Sequence, residues 1–112
     1  MCSKNEALKI LNEVYEQCKE LFGELEAAYL YGSYARGDFH SESDVDILVS
    51  VRRTQEEISK SRMEIAEIAS SLSLKYDVTV SVAVKSAEQF EKYQNILPYY
   101  MNVIKEGIKY AG

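Results

Sequence analysis

The sequence predicts an α/β domain in which a small mixed β-sheet is flanked by helices. Two long segments, near the N terminus and in the middle of the chain, repeat apolar residues every three or four positions, which is the period of an amphipathic helix. Short apolar runs accompany them, and one of these runs alternates valine with polar or small residues, as a half-buried strand does. The 112 residues predict a single domain over 1–112, large enough to bury a core without disulfides or metal staples.

The first helix and the first strand follow from the start of the chain. Asn5 is a candidate cap for the helix, and Gly23 offers a helix stop. The apolar positions between them are Leu8, Leu11, Val14, Cys18, Leu21 and Phe22. We expect this helix to pack its apolar stripe against the sheet. Residues 25–31 follow as the first strand, in which Tyr29 and Tyr31 would lie on one face.

Residues 44–51 form the second predicted strand, and this strand carries two carboxylates. Because side chains alternate along a strand, Asp44 and Asp46 share one face with Leu48 and Ser50. The two carboxylates are about 6 to 7 Å apart at the backbone. Like charges at this distance repel unless a cation lies between them, and a divalent metal is the usual cation. The Asp-x-Asp pattern therefore predicts a metal site inside an apolar run.

Gly32 and Ser33 separate the two strands and suit a phosphate group. Glycine has no side chain, serine adds a hydroxyl, and backbone N–H groups at the start of a helical turn favour an anion. Gly32 and Gly37 have the spacing of a P-loop. However, Asp38 and Phe39 stand where that motif needs Lys and then Ser or Thr, so the P-loop is rejected.

The other polar residues of the loop leave one question open. An EF-hand calcium loop is excluded, because Leu48 stands where an oxygen ligand belongs. Arg36 lies about one helical turn after Ser33 and has two interpretations: it contacts phosphates, or it braces the loop carboxylates. His40 is the only histidine, and we interpret it as a solvated residue of the loop.

The second half of the chain adds a helix, a third strand and two shorter helices. A capping box at Thr54 begins a helix that runs to about residue 74. The third strand covers residues 77–84. Strand, helix and strand in this order form a right-handed crossover, so the third strand is expected to be parallel to one of the first two. A helix over residues 88–93 and another from Pro98 to Gly107 complete the prediction.

The composition narrows the class of protein. A net charge of -5 argues against extensive direct binding to nucleic acid. Cys2 and Cys18 make no disulfide framework and no metal-ligand spacing, which favours a reduced compartment. No run approaches about 18 apolar residues, and the polar N terminus lacks the apolar core of a signal peptide. These observations predict a cytoplasmic protein that does not enter a membrane.

The loop and the second strand together carry a longer motif, GSYARGDFHSESDVDILV. This motif resembles the signature of the nucleotidyltransferase superfamily, which includes DNA polymerase beta and kanamycin nucleotidyltransferase. The length of the chain is similar to that of the minimal nucleotidyltransferase (MNT) proteins of bacteria and archaea, which are often encoded beside a HEPN-domain partner. The resemblance implies a nucleotidyltransferase fold and a metal-dependent reaction of a nucleoside triphosphate, most simply ATP.

The same resemblance implies a role for each residue of the motif. Asp44 and Asp46 would be catalytic and would hold divalent metal together with the triphosphate. Two Mg²⁺ ions are expected, with Mn²⁺ as the alternative. Gly32 and Ser33 would bind the terminal phosphates through backbone N–H groups and the hydroxyl, and Arg36 is a further candidate for nucleotide binding.

The resemblance also implies a third catalytic and metal-binding carboxylate, on a strand beside the Asp-x-Asp strand. Asp77 opens the valine-rich run and is the best match to that position. Asp38 and Glu42 are the weaker candidates, in the loop. If Asp77 belongs instead to the turn before the strand, Thr79 or Ser81 faces the site and the metal set is incomplete.

Three hypotheses for the function follow. The first is an enzyme that transfers AMP from ATP to a hydroxyl group on a HEPN toxin and so acts as an antitoxin. The second is an antitoxin that restrains its HEPN partner by contact, with weak or absent catalysis. The third is a transferase for a small hydroxylated molecule such as an antibiotic, in which a homodimer could supply the missing wall of the pocket.

Overall fold

The computed structural model of the protein describes residues 2–110. Within that range the helices are α1 (Lys4–Phe22), α2 (Ser33–Arg36), α3 (Gln55–Lys60), α4 (Arg62–Tyr76), α5 (Ala87–Tyr93) and α6 (Pro98–Glu106). The strands are β1 (Leu25–Tyr31), β2 (Val45–Val51), β3 (Val80–Ser86) and β4 (Ile108–Lys109), and they form one sheet in the order β3-β2-β1-β4. No helix of this range is both long and apolar enough to cross a membrane.

The sheet is mixed, because its neighbouring strands run in both directions. β1 pairs antiparallel with β2 and with β4, and β2 pairs parallel with β3. The parallel pair is joined through α3 and α4, since parallel strands need a crossover connection. The register places Tyr31, Asp46 and Ser81 side by side in one row across β1, β2 and β3. We call these three residues the Asp46 row.

The N-terminal helix begins earlier than predicted. Ser3, rather than Asn5, caps α1. The Ser3 hydroxyl accepts the N–H of Glu6, and the Glu6 carboxylate accepts the N–H of Ser3. This reciprocal capping box satisfies two groups at the helix end at once. Gly23 ends the helix, as the sequence predicted, with a φ of 81°.

The helix predicted over residues 54–74 is two helices. α3 begins at the predicted capping box, in which the Thr54 hydroxyl accepts the N–H of Glu57. It ends at Ser61, whose N–H donates to the carbonyl of Ile58 at 3.0 Å, the tighter bonding of a 3₁₀ turn. α4 then continues to Tyr76.

β3 begins at Val80 rather than at Asp77, because Asp77 ends α4. Asp77 has φ 52° and ψ 49°, a left-handed conformation that aspartate adopts more readily than most residues. The hydroxyl of Ser73, in the last turns of α4, accepts the N–H of Val80 at 2.9 Å and ties the helix end to the strand start. The prediction of a strand over residues 77–84 is therefore wrong at its N-terminal end.

Helices cover the two faces of the sheet unequally. On one face α1, α3 and α4 enclose the larger core, whose β2 members are Val45, Ile47, Val49 and Val51. On the other face α5 and α6 make a smaller cluster, whose buried members are Tyr29, Leu48, Phe90, Tyr100 and Val103. This division confirms the two faces predicted for β2. The Asp46 row lies on the second face, where Asp46 is half-buried and Ser81 is exposed.

Candidate active site

The turn between β1 and α2 packs directly against β2. Gly32 has φ 78° and ψ -156°, a combination that residues with a side chain rarely adopt. A Cβ atom at this position would lie 2.7 Å from Oδ2 of Asp46, closer than real Cβ contacts. Glycine is therefore required for two reasons, the backbone conformation and the contact with the carboxylate.

Asp44 and Asp46 have no protein partner for their carboxylates within residues 2–110, where neither joins an ion pair or accepts a hydrogen bond. Asp44 is exposed just before β2, and Asp46 is half-buried in the strand. Burial raises the pKa of Asp46, the negative charge of Asp44 raises it further, and the positive charge of Arg36 opposes both effects. The ionised pair is therefore unfavourable unless a cation joins it.

This pair fits a divalent metal. Carboxylate oxygens are the ligands that Mg²⁺ and Mn²⁺ prefer, and both side chains have oxygens that no protein group uses. The raised pKa of Asp46 reflects a charge that a bound cation would stabilise. Asp44 and Asp46 are thus the residues that would hold the metal.

The short helix α2 begins beside the carboxylate pair. The carbonyl of Gly32 accepts the N–H groups of Ala35 and Arg36, each at 3.1 Å. The N–H groups of Ser33 and Tyr34 come before these bonds and have no acceptor within the helix. Such N–H groups favour an anion. Because Gly32 lies against Asp46, the predicted phosphate-binding residues are next to the predicted metal ligands.

The buried side chain of Tyr34 fixes α2 in this position. Its hydroxyl donates to the carbonyl of Cys2 at 3.1 Å, and its ring stacks on Phe39 with centroids 4.3 Å apart. These contacts join the chain before α1 to the loop after α2. The orientation of the phosphate-binding turn therefore depends on two distant segments.

Arg36 braces carboxylates in this structure. Its Nε is 3.2 Å from Asp38, and its Nη1 is 3.3 Å from Glu106 at the end of α6. The sequence suggested the first of these contacts in general terms, but the contact with Glu106 depends on the tertiary fold. Arg36 is also close enough for its charge to lower the pKa of Asp46. A direct role with phosphates stays a prediction.

The structure does not place Asp77 beside Asp46. The neighbour of Asp46 on β3 is Ser81, which is the arrangement expected if Asp77 belongs to the turn before the strand. Asp77 lines an open cleft together with Asp44 and Glu42. No three Asp, Glu, His or Cys side chains in residues 2–110 are grouped so that they could hold a metal ion. The role of Asp77 as a third ligand stays a prediction.

Two further side chains near Asp46, Tyr31 and Tyr99, were not among the predicted site residues. Tyr31 is next to Asp46 in the Asp46 row, and its hydroxyl is 3.0 Å from that of Tyr99. The alternation of β1 gave Tyr31 a face, but no local signal joined it to Tyr99.

His40 is exposed, and its Nδ1 accepts the N–H of Glu42 at 3.1 Å, which agrees with its interpretation as a loop residue.

The fold places a Gly-Ser turn beside an Asp-x-Asp pair at the start of β2. A family model described as a nucleotidyltransferase domain matches residues 11–110. The chain belongs to this nucleotidyltransferase family, which is the enzyme class that the motif predicted.

Relatives of known sequence support the assignment. Two proteins of Methanocaldococcus jannaschii bear the name "Putative protein adenylyltransferase". One is 34% identical over 88% of this chain and 92% of its own length. The other is 39% identical over 68% of this chain and 76% of its own length.

Solved structures share the fold at lower sequence identity. One is described as a toxin-antitoxin with AMP-PNP; it has a TM-score of 0.60 and 23% identity, over 90% of this chain and 72% of that one. Another is a tri-AMPylated Shewanella oneidensis HEPN toxin in complex with MNT antitoxin, with a TM-score of 0.54 and 20% identity, over 95% of this chain and 72% of that one. The nucleotidyltransferase fold expected from the motif is therefore confirmed.

Proposed function

We propose that this protein transfers AMP from ATP to a hydroxyl group on a HEPN-domain partner, in a metal-dependent reaction, and so acts as an antitoxin to that partner. The contact between Gly32 and Asp46 carries the proposal, because it joins a phosphate-binding turn to a metal-binding carboxylate. The names of the two M. jannaschii relatives support a protein as the acceptor. The AMPylated HEPN toxin in a structure of the same fold supports the partner.

In this proposal some residues of the site bind the metal and others bind the phosphates. Asp44 and Asp46 would hold the divalent metal, Mg²⁺ or Mn²⁺, with two ions expected. When bound, the metal neutralises phosphate charge and makes an acceptor hydroxyl more acidic. Gly32 and Ser33 bind the terminal phosphates through the N–H groups at the start of α2, with the Ser33 hydroxyl as a further donor. Arg36 adds positive charge beside the same phosphates.

The reaction needs position and charge rather than a covalent nucleophile. An oxygen of the acceptor attacks the α-phosphorus of ATP, a new P–O bond forms, and the bond to the β-phosphate breaks. Pyrophosphate leaves, and the hydroxyl proton passes to water. Asp77 is proposed as the carboxylate on the acceptor side, because it lines the same cleft as Asp44.

An acceptor surface supplied by a partner agrees with the openness of the site. Ser81, at one end of the Asp46 row, is exposed, and the cleft beside Asp44 is open. A second copy of the chain is the other source of such a surface.

The buried free thiols of Cys2 and Cys18 are compatible with the reduced cytoplasm that we propose as the location.

The direct test is intact mass spectrometry of a HEPN-domain protein that forms a complex with this protein. We expect incubation with the purified protein, ATP and Mg²⁺ to add the mass of one or more AMP groups to the partner. EDTA, or the variant Asp46→Asn, should prevent the addition. An unmodified partner that nevertheless forms a stable complex would contradict the proposed transfer.

One observation favours a second candidate, an antitoxin that acts by contact alone. Ser81 occupies the position beside Asp46 where a third carboxylate was expected. The two candidates differ in one measurement, the growth of cells that express the HEPN toxin. Under transfer, Asp46→Asn no longer protects these cells, whereas under contact alone it protects them as well as the wild type does.

A further inference from the structure

One end of the Asp46 row, at Tyr31, contacts a second aromatic side chain, Tyr99. Tyr31 is the neighbour of Asp46 on β1, and Tyr99 lies in the first turn of α6. Their hydroxyl oxygens are 3.0 Å apart, and their rings meet edge to face with centroids 5.7 Å apart. An aromatic surface therefore begins one strand away from the half-buried carboxylate.

Tyr99 is exposed and yet held in place. About two-fifths of its surface is accessible (40%), while its neighbour Tyr100 is 4% exposed. Its ring contacts Tyr100 with centroids 5.3 Å apart at an angle of 71°, and it contacts Tyr31 on another side. Edge contacts of this kind restrict the orientation of a ring. Tyr99 thus presents a fixed aromatic surface to solvent beside the site.

The rest of the site limits where a nucleoside can lie. The larger core closes the opposite face of the sheet, and Leu48, the next residue of β2 on this face, is buried under the smaller cluster. At the other end of the Asp46 row, Ser81 has a hydroxyl group and no aromatic ring. A nucleotide with its phosphates beside Gly32 and Asp46 therefore finds its aromatic neighbour on the side of Tyr31.

We propose that the base of the bound nucleoside triphosphate stacks on Tyr99 and that Tyr31 positions the Tyr99 ring. This inference rests on the proposed function, since it assigns the nucleoside part of the same donor site. It gives Tyr99 a binding role and Tyr31 a positioning role. Stacking tolerates different bases, so the surface supplies affinity for a nucleoside rather than a choice among bases.

The test compares two ligands that share a triphosphate and differ in the nucleoside. Calorimetry would measure binding of ATP and of inorganic tripolyphosphate, each with Mg²⁺, to the wild type and to Tyr99→Ala. We expect Tyr99→Ala to weaken ATP binding roughly 5- to 150-fold, the range for loss of one base–aromatic stack. Binding of tripolyphosphate should stay unchanged. Tyr99→Phe should keep ATP binding near that of the wild type, because the ring remains.

A matched control removes a tyrosine from the other face of the sheet. Tyr110 contacts Tyr15 with ring centroids 4.2 Å apart, and its hydroxyl donates to Asn12 at 2.7 Å. Tyr110→Ala should therefore lower the melting temperature without a selective loss of ATP binding.

Each contrary result has its own meaning. Equal ATP binding by Tyr99→Ala and the wild type would overturn the stacking role and leave the proposed function standing. Equal loss of both ligands in Tyr99→Ala would also overturn it, because the role would then be structural. If the wild type binds neither ligand with Mg²⁺, the donor site and the proposed function fail together with the inference.

Discussion

A methyl group on Gly32 would lie 2.7 Å from Oδ2 of Asp46. The turn that suits phosphates and the strand that carries the carboxylates therefore meet where no side chain fits. This close approach puts the proposed phosphate-binding turn directly beside a proposed metal ligand. Small changes at position 32 should consequently act on both functions of the site.

Gly32→Ala should lower both stability and ATP affinity, and Gly37→Ala should lower stability alone. Both glycines have positive φ, 78° and 91°, so each alanine pays a backbone cost of about 1 kcal/mol or more. Only Gly32 has a neighbour in the way, because a Cβ on Gly37 would meet nothing within 4 Å. Urea unfolding and calorimetry with ATP and Mg²⁺ would measure the two effects. Equal losses of ATP affinity would show that the contact with Asp46 is unimportant.

Asp46→Asn should keep or raise the stability of the metal-free protein while abolishing Mg²⁺-dependent ATP binding. The pKa of Asp46 is raised by burial and then by Asp44, so its ionised form disfavours folding. This penalty is present above the folded-state pKa and disappears as the pH falls below the unfolded value. Asparagine removes the penalty at neutral pH, and Asp44→Asn should act in the same direction by relieving repulsion.

Thermal unfolding in EDTA, followed by calorimetry with Mg²⁺ and ATP, would check these two variants. Glu88→Gln is the control, since it removes one exposed charge from α5. Marked unfolding of both aspartate variants in EDTA would mean that the carboxylates are structural.

Asp77→Asn should reduce AMP transfer more than it reduces ATP binding. Asparagine tolerates the left-handed conformation of position 77, so the variant removes the charge and keeps the helix end. Glu42→Gln changes the other candidate carboxylate of the same cleft and should leave AMP transfer unchanged if Asp77 is the third carboxylate. Transfer at the wild-type rate in Asp77→Asn would leave Asp77 only the role of ending α4.

Arg36→Ala should weaken ATP binding, and Glu106→Gln should not. Both changes remove the ion pair between α2 and the end of α6, but only the first removes the positive charge near Asp46. Calorimetry at low and moderate salt would separate them, since an electrostatic contribution diminishes with salt. If the two variants weaken ATP binding equally, Arg36 acts as a brace and does not contact phosphate.

Glu13→Gln should destabilise the protein by about 0.5–1.5 kcal/mol at neutral pH, the usual range for a lost hydrogen bond. The Glu13 carboxylate accepts hydrogen bonds from Lys75 and Tyr76, which lower its pKa in that order. A lowered folded-state pKa stabilises the fold above the unfolded value, and this contribution is lost as the pH falls through the folded one. Stability measured between neutral and acidic pH should therefore fall less in Glu13→Gln. Glu16→Gln, an exposed change on the same helix, should keep the wild-type slope.

Local patterns predicted much of the fold and failed where groups compete at helix ends. The faces of β2, the capping box at Thr54 and the stop at Gly23 depend on near neighbours, and the structure has all three. Ser3 displaced Asn5 as a cap, and Asp77 ended a helix instead of opening a strand. In both cases two local interpretations were available. The reciprocal capping box of Ser3 with Glu6 decided the first, and the left-handed conformation of Asp77 decided the second.

The sequence by itself determined the class of protein, and it predicts the residues at the centre of the proposed site. Gly32, Ser33, Asp44 and Asp46 lie within one turn, loop and strand, and the alternation of a strand is a property of its backbone. Only the tertiary structure decided which side chains stand around them. The placing of Tyr31 and Ser81 beside Asp46 requires the register of three strands, and the partners Tyr99 and Glu106 come from α6. Register and helix docking depend on packing between distant segments, which local spacing does not encode.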